Sequence, residues 1–221
     1  MTRTQIKDKA KEDIRDIVFL CFIPILIVEL VQYAINAILG YYTKGVLSLF
    51  ITLLLIPINL GVCKIFLQLI RNGNKKIDLT DLFFYYKDIN KTVQFVIAWI
   101  LRMLYIFLGI CCLIIPGIIM GLRYSLLEYI HIDDPTLSYK ELMNKTKAMM
   151  IGHSGELFAF YLSFLGWVLL SVLTCGILFV YVLPYMKAAE ANFYENIRFA
   201  VPNINNNMNN GSNNNMNNGS F

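Results

Sequence analysis

Polar and apolar positions alternate along this chain on a long scale. Three charged stretches, each carrying a helical apolar stripe, are each followed by a pair of long apolar runs. The stripes read Ile6, Ala10, Ile14, Ile17; then Leu82, Tyr86, Ile89, Val93; then Leu142, Thr146, Met149, Met150. Steps of three and four put each set on one helix face. Each stripe follows a capping-box pattern: Thr2-x-x-Gln5, Asp78-x-x-Asp81 and Ser138-x-x-Glu141. In such a box the first side chain accepts from an orphan backbone N–H, and the residue three along reaches back. The apolar runs predict helices over 17–39, 45–70, 92–114, 116–132, 155–174 and 176–197. Runs of about 20 apolar residues match about 30 Å of hydrocarbon. The fourth reaches only about 25 Å at a rise of about 1.5 Å per residue, marginal for a full span.

The pattern repeats. Ile56-Pro57 and Ile115-Pro116 lie 59 positions apart, the same offset carries Lys64 onto Arg123, and a further 64 carries Arg123 onto Lys187. Similarity at a period near sixty points to duplication of a helical unit. The expected fold is therefore all-α and polytopic, six helices forming three repeated hairpins, each preceded by a cytoplasmic amphipathic helix. The units run over about 1–70, 78–132 and 136–198 within a single membrane domain, 1–201. Residues 202–221 are another kind of polymer. The octapeptide Asn-Asn-Asn-Met-Asn-Asn-Gly-Ser occurs at 205–212 and again at 213–220. With no apolar face to bury, this tail is expected to be disordered.

Composition supports the same picture: 57% hydrophobic residues and a mean hydropathy of +0.57 argue against a soluble fold. The first apolar run follows an arm rich in acid as well as base, without a small-residue cleavage pattern, so it reads as a retained anchor. Arg3, Lys7, Lys9, Lys11 and Arg15 lie before the first run; Arg71, Lys75, Lys76, Lys87 and Lys91 lie between the second and third. Lys140, Lys145, Lys147 and Arg198 fall on the same side, and Lys44 alone on the other. The positive-inside rule places both termini in the cytoplasm. The net charge of +4 then reflects topology and attraction to anionic lipid, and nucleic acid is not an expected partner. Five cysteines (Cys21, Cys63, Cys111, Cys112, Cys175) sit inside apolar segments, an odd count without metal-like spacing.

Several local patterns occur in order: Ile114-Ile115-Pro116-Gly117, Tyr124-Ser125, Asp133-Asp134-Pro135, Leu157-Phe158, Ser163-Phe164-Leu165-Gly166-Trp167, Thr174-Cys175-Gly176, Pro184-Tyr185 and Phe193-Tyr194. This series resembles the bacterial integral-membrane family designated domain of unknown function 975, common in Firmicutes, over about residues 1–198. That family is distantly similar to the membrane domain attached to some glycerophosphodiester phosphodiesterases. Met150-Ile151-Gly152 departs from the family's Met-Lys-Gly form. The resemblance implies topology and a bacterial plasma-membrane location. It brings no catalytic residues, and the phosphodiesterase domain itself has no counterpart here.

Candidate chemistry is sparse. His131-Ile132-Asp133-Asp134 holds metal-capable side chains but precedes Pro135, where one helix ends and another begins. His153 stands between Gly152 and Ser154-Gly155, and Ser163 and Ser171 have no adjacent base. There is no P-loop, dinucleotide fingerprint or H-E-x-x-H pattern, so no catalytic residue, metal or cofactor is expected. Trp99 and Trp167 read as packing or interfacial residues, and Gly152, Gly166 and Gly176 as points of close helix contact or turning.

The informative residues are the ionisable ones within apolar runs: Glu29, Lys64, Arg102, Arg123, Lys187 and Glu190. An unpaired charge at mid-bilayer costs about 2.5–3.5 kcal/mol, so each needs a partner, water or a route to the interface. Pairing of Glu29 with Arg102, and of Lys187 with Glu190 three residues on, would hide four of them. Lys64, Arg123 and Lys187 occupy corresponding places in the three units, and together they could form an anion or lipid-headgroup site. The expected role is non-catalytic, an interaction with membrane lipids (anionic phospholipid among them) or a membrane-protein partner in envelope homeostasis. A small solute transporter or pore is the alternative, and a lipid-handling enzyme the third reading.

Overall fold

The computed structural model describes residues 2–42, 46–72 and 77–198, and every element among them is helical. In order they are α1 (Arg3–Ile14), α2 (Val18–Tyr42), α3 (Val46–Asn72), a 3-10 segment (Leu79–Lys87), α4 (Ile89–Cys112), α5 (Ile114–Arg123), α6 (Leu127–Asp133), α7 (Tyr139–Met149), α8 (Ser154–Leu173) and α9 (Phe179–Arg198). Lys44, Lys75, Lys76 and the Asn-rich tail lie outside the described residues.

Four stretches are long and apolar enough to cross a membrane: Val18–Ile35, Leu55–Asn72, Ile89–Cys111 and Ser154–Leu173. The α3 stretch is the interior one, with 67% of its positions buried against 17%, 11% and 22% in the others. The outer helices turn Phe19, Leu30, Phe107, Leu108, Leu169 and Leu173 outward. In water so broad an apolar surface would drive aggregation, whereas against lipid it costs nothing. This fits a membrane protein. The other two expected spans differ. The fourth is broken at 124–126, leaving α5 and α6 each too short to cross alone. The sixth, α9, carries Lys187, Glu190, Asn192 and Glu195 and is sheathed by α1, α2, α3 and α8.

The capping boxes at the first and third stretches form. Thr2 N–H donates to Gln5 Oε1 at 2.8 Å and Gln5 N–H to Thr2 Oγ1 at 3.4 Å, and Ser138 and Glu141 make the same reciprocal pair at 2.9 and 3.4 Å. At the second, Asp78 accepts from Thr80 N–H at 2.9 Å, while Asp81 turns to Lys64 at 2.8 Å and leaves the box open. A tighter 3-10 coil follows, so the expected stripe fails after Tyr86. Leu82 and Tyr85 are buried, while Ile89 and Val93 are exposed. The segment lies backbone-close on α3 at Gly61, where an added Cβ would sit 2.5 Å from Leu82 Cα.

Ile6, Ala10 and Ile14 are fully buried, and α1 packs along α9, with Lys11 over the Tyr185 ring and Asn192 donating to Asp13 at 2.8 Å. The first amphipathic stretch is thus folded onto the bundle. In the third stretch Leu142, Thr146, Met149 and Met150 are all buried. Turns bring the long helices together. Pro116 falls on the third residue of α5, still within the first turn, where a missing N–H breaks no bond. Gly109 and Gly117 let α4 and α5 touch, because a Cβ on Gly109 would meet Gly117 Cα at 2.8 Å. After α8 the chain turns through Cys175 (φ 53°) and Gly176 (φ 88°), and Gly152 turns it before α8 with φ 83°. Gly166, by contrast, faces open space and makes no close helix contact.

Candidate functional site

The break between α5 and α6 opens the interior. Tyr124 and Leu126 leave the helical region with ψ of 14°, and Ser125 Oγ turns back to donate to the Leu122 carbonyl at 2.9 Å. That bend directs Ser125, Glu128 and Tyr129 toward the interior faces of α2, α3, α4, α8 and α9. Between these elements lies a cavity of about 420 Å³. Its charged lining comes from four elements: Glu29 of α2, Arg102 of α4, Glu128 of α6, and Lys187 with Glu190 of α9. Asn59 and Cys63 of α3, Trp99 of α4 and Tyr161 of α8 complete the polar and aromatic part.

Two ion pairs close across the walls. Arg102 Nη1 donates to Glu128 Oε1 at 2.7 Å, with both side chains under a fifth exposed. Arg102 therefore takes Glu128 as its partner and not Glu29, because the bend carries Glu128 up to α4. Lys187 Nζ donates to Glu190 Oε2 at 3.0 Å, and the Tyr161 hydroxyl donates to Glu190 Oε1 at 3.0 Å. Glu29 lines the cavity exposed, with no ion pair or hydrogen bond among the described residues. Deeper in the wall, Arg102 Nε and the buried Tyr129 hydroxyl have no hydrogen-bond partner among the described residues. An unmet buried donor costs about 1–3 kcal/mol, so this lining is not optimised for stability alone.

The three repeat-equivalent cations are not gathered into one cavity. Lys187 borders the cavity, already paired. Lys64 is bound to Asp81 at 2.8 Å and lies 3.3 Å above the Phe84 ring centroid, on the side of α3 that carries the 3-10 segment. Arg123 ends α5 and does not line the cavity. The sequence marks Glu29, Arg102, Lys187 and Glu190 as costly charges and offers Glu128 only as a counter-charge to the three cations, while Ser125, Tyr129 and Tyr161 carry no signal of a site. A polar pair such as Tyr124-Ser125 within an apolar run was the available signal for the bend.

A second charged group ties α3, α6 and α9 together at their C-terminal ends. Arg71 grips Asp133 with both terminal nitrogens at 2.7 and 2.8 Å and reaches Glu195 through Nε at 2.5 Å. Tyr194 donates to Asp133 at 2.6 Å, and Arg198 lies 3.3 Å from Asp133 and 3.1 Å from Glu195. Burial alone would raise the Asp133 carboxyl, but the bonds from Arg71 and Tyr194 outweigh it and hold it below the ordinary range. The remaining parts of the His131–Asp134 motif are also structural: Asp134 binds Lys145, and His131 is packed against the Phe95 ring at 5.1 Å. Among the described residues no three metal-capable side chains converge.

Comparison with known proteins bears on the second half of the chain. Residues 109–200 match the family described as protein of unknown function DUF975. The matched segment holds every motif on which the resemblance was read, and it supplies Ser125, Glu128, Tyr129, Tyr161, Lys187 and Glu190 to the cavity. No curated protein and no solved structure matches the chain.

Proposed function

We propose that this is a non-catalytic multi-pass protein of a bacterial plasma membrane, both termini cytoplasmic, which binds a polar ligand in its interior cavity. The ligand is either a lipid headgroup or a small solute. The observation that carries this reading is the convergence of five ionisable side chains from four elements on one cavity of about 420 Å³. That volume falls in the range of small-molecule sites. Charges kept only to tie helices together would pair off among themselves, as Arg71 and Arg198 do with Asp133 and Glu195. Here Glu29, a carboxylate without an ion pair or hydrogen bond among the described residues, borders open volume instead. Ser125 donates to a backbone carbonyl, and Glu128 and Glu190 are held by cations, an arrangement suited to binding more than to nucleophilic attack.

The test compares wild type with Val62→Trp, which fills the cavity from α3. Protein extracted gently from membranes is analysed by native mass spectrometry for non-covalent lipid and solute. Specific ligand on wild type that is lost in Val62→Trp supports the proposal. Identical retention by both, in folded protein, overturns it and leaves the ion pairs as helix clamps.

A further inference from the structure

The charge inventory of the cavity says more than that a ligand binds. Glu29, Glu128 and Glu190 face Arg102 and Lys187 across it, an excess of one carboxylate. Both cations are already engaged, Arg102 with Glu128 at 2.7 Å and Lys187 with Glu190 at 3.0 Å. An anionic ligand would compete with the carboxylates that already neutralise these two cations. Glu29 alone has no counter-charge among the described residues, and a carboxylate facing a cavity among apolar helices is stabilised by a cation brought to it. The sequence had suggested an anion site built from lysines and arginine. The assembled cavity has the opposite sign.

Resting on the proposal that the cavity is a binding site, we propose that it recognises an organic ammonium group, with the Glu29 carboxylate as counter-charge and the Trp99 indole as a flanking aromatic surface. A metal ion does not suit the lining, since no three metal-capable side chains converge among the described residues. The volume of about 420 Å³ is also far larger than a bare monovalent ion would need. Trp99 borders the same volume, and indole is the aromatic face that best attracts a substituted ammonium. Beside Glu29 on α2, Leu26, Leu30 and Tyr33 are exposed apolar residues, so an amine can approach along this edge from the lipid side. A lipid amine headgroup and a free amine share this chemistry.

The protein is reconstituted in phosphatidylglycerol nanodiscs. Thermal unfolding is then followed with three additions: phosphatidylethanolamine in the disc, ethanolamine in solution, or choline in solution. The expected result is a rise in Tm in at least one arm. A response to the lipid alone identifies a headgroup, and a response to ethanolamine or choline identifies a free amine. Glu29→Gln should weaken the response at least tenfold in amine concentration, and Trp99→Leu several-fold. Glu156→Gln, an exposed acid at the start of α8, should leave it unchanged. Without amine, Glu29→Gln should be at least as stable as wild type, because it removes an uncompensated charge; Glu29→Asp keeps the charge and should respond at an intermediate level. A response equal in wild type and Glu29→Gln overturns the assignment, as does stabilisation by inorganic phosphate with none by any amine. If every amine is silent while Val62→Trp still abolishes a co-purifying ligand, the ammonium assignment fails and the binding cavity stands. If Val62→Trp changes nothing, the cavity reading itself falls.

Discussion

Replacing Asp133 by Asn would probe the clamp that joins α3, α6 and α9. The carboxylate accepts a two-pronged bond from Arg71 at 2.7 and 2.8 Å and one from the Tyr194 hydroxyl at 2.6 Å, with its side chain 17% exposed. Asparagine keeps the shape and one acceptor oxygen but loses the charge, leaving Glu195 as the one counter-charge to Arg71 among the described residues. Charge-assisted bonds contribute about 1.5–3 kcal/mol each, and loss of one partner of a fully buried pair costs about 3–5 kcal/mol. Arg71 is 30% exposed, so solvent screening reduces this to about 2–3 kcal/mol. At about 2–4 °C per kcal/mol for a domain of this size, the variant should melt roughly 5–10 °C lower in detergent at neutral pH. The sign with pH is also fixed. Asp133 is held below its ordinary value, so its contribution is fully present above the unfolded carboxyl pKa of about 3.9 and is lost as pH falls through the lower folded value. The gap between wild type and Asp133→Asn should therefore close as pH drops below about 4. Tyr194→Phe in a double-mutant cycle should show coupling with Asp133→Asn. Equal melting at neutral pH, or a gap that stays constant into acid, would refute the clamp.

Four further outcomes follow from the same structure. Gly109→Ala forces a methyl against the backbone of Gly117 and should cost about 1–3 kcal/mol, read as a lowered midpoint of thermal unfolding. Cys175→Gly should stabilise by about 1 kcal/mol, read as a raised midpoint, because Cys175 holds the left-handed position of a helix stop in which Gly176 N–H bonds Ser171 O at 2.8 Å; no gain would mean that the turn relaxes in solution. Single cysteines at Thr43 and Lys75 should label oppositely with an impermeant reagent on intact cells, and labelling of position 75 from outside would reverse the proposed orientation. Truncation after Pro202 should leave the melting temperature within a few degrees, since 203–221 has no apolar face to pack.

What the sequence made legible was largely what local physics controls. Side chains at Thr2 and Ser138 mark their helix starts because the cap is built from residues three apart. The buried stripes at Ile6–Ile14 and Leu142–Met150 follow from helical spacing. Length and hydropathy located the long helices to within a few residues. Tertiary choices stayed hidden. Lys64 draws Asp81 out of its capping box across 17 positions, and the 3-10 coil that results has no signature of its own. The bend at 124–126 contains neither Gly nor Pro, so a continuous apolar run concealed it and, with it, the turn that gives Glu128 to Arg102. Gly109 and Gly117 lie eight apart in successive runs and become contacts only once α4 and α5 fold together.

The packing of α1 on α9 has a consequence for synthesis. Ile6, Ala10 and Ile14 leave the ribosome well before Tyr185 and Asn192, which hold α1 in place. At a translation rate of about 5–20 residues per second, on the order of ten to thirty seconds separate the two. Throughout that interval the apolar face of α1 lacks the helix it packs against in the finished fold, while α2 and α3 are already made. Completion of the final helix is what removes it from view. A chain stopped short of α9 keeps displaying that face, so α1 itself reports whether α9 has arrived.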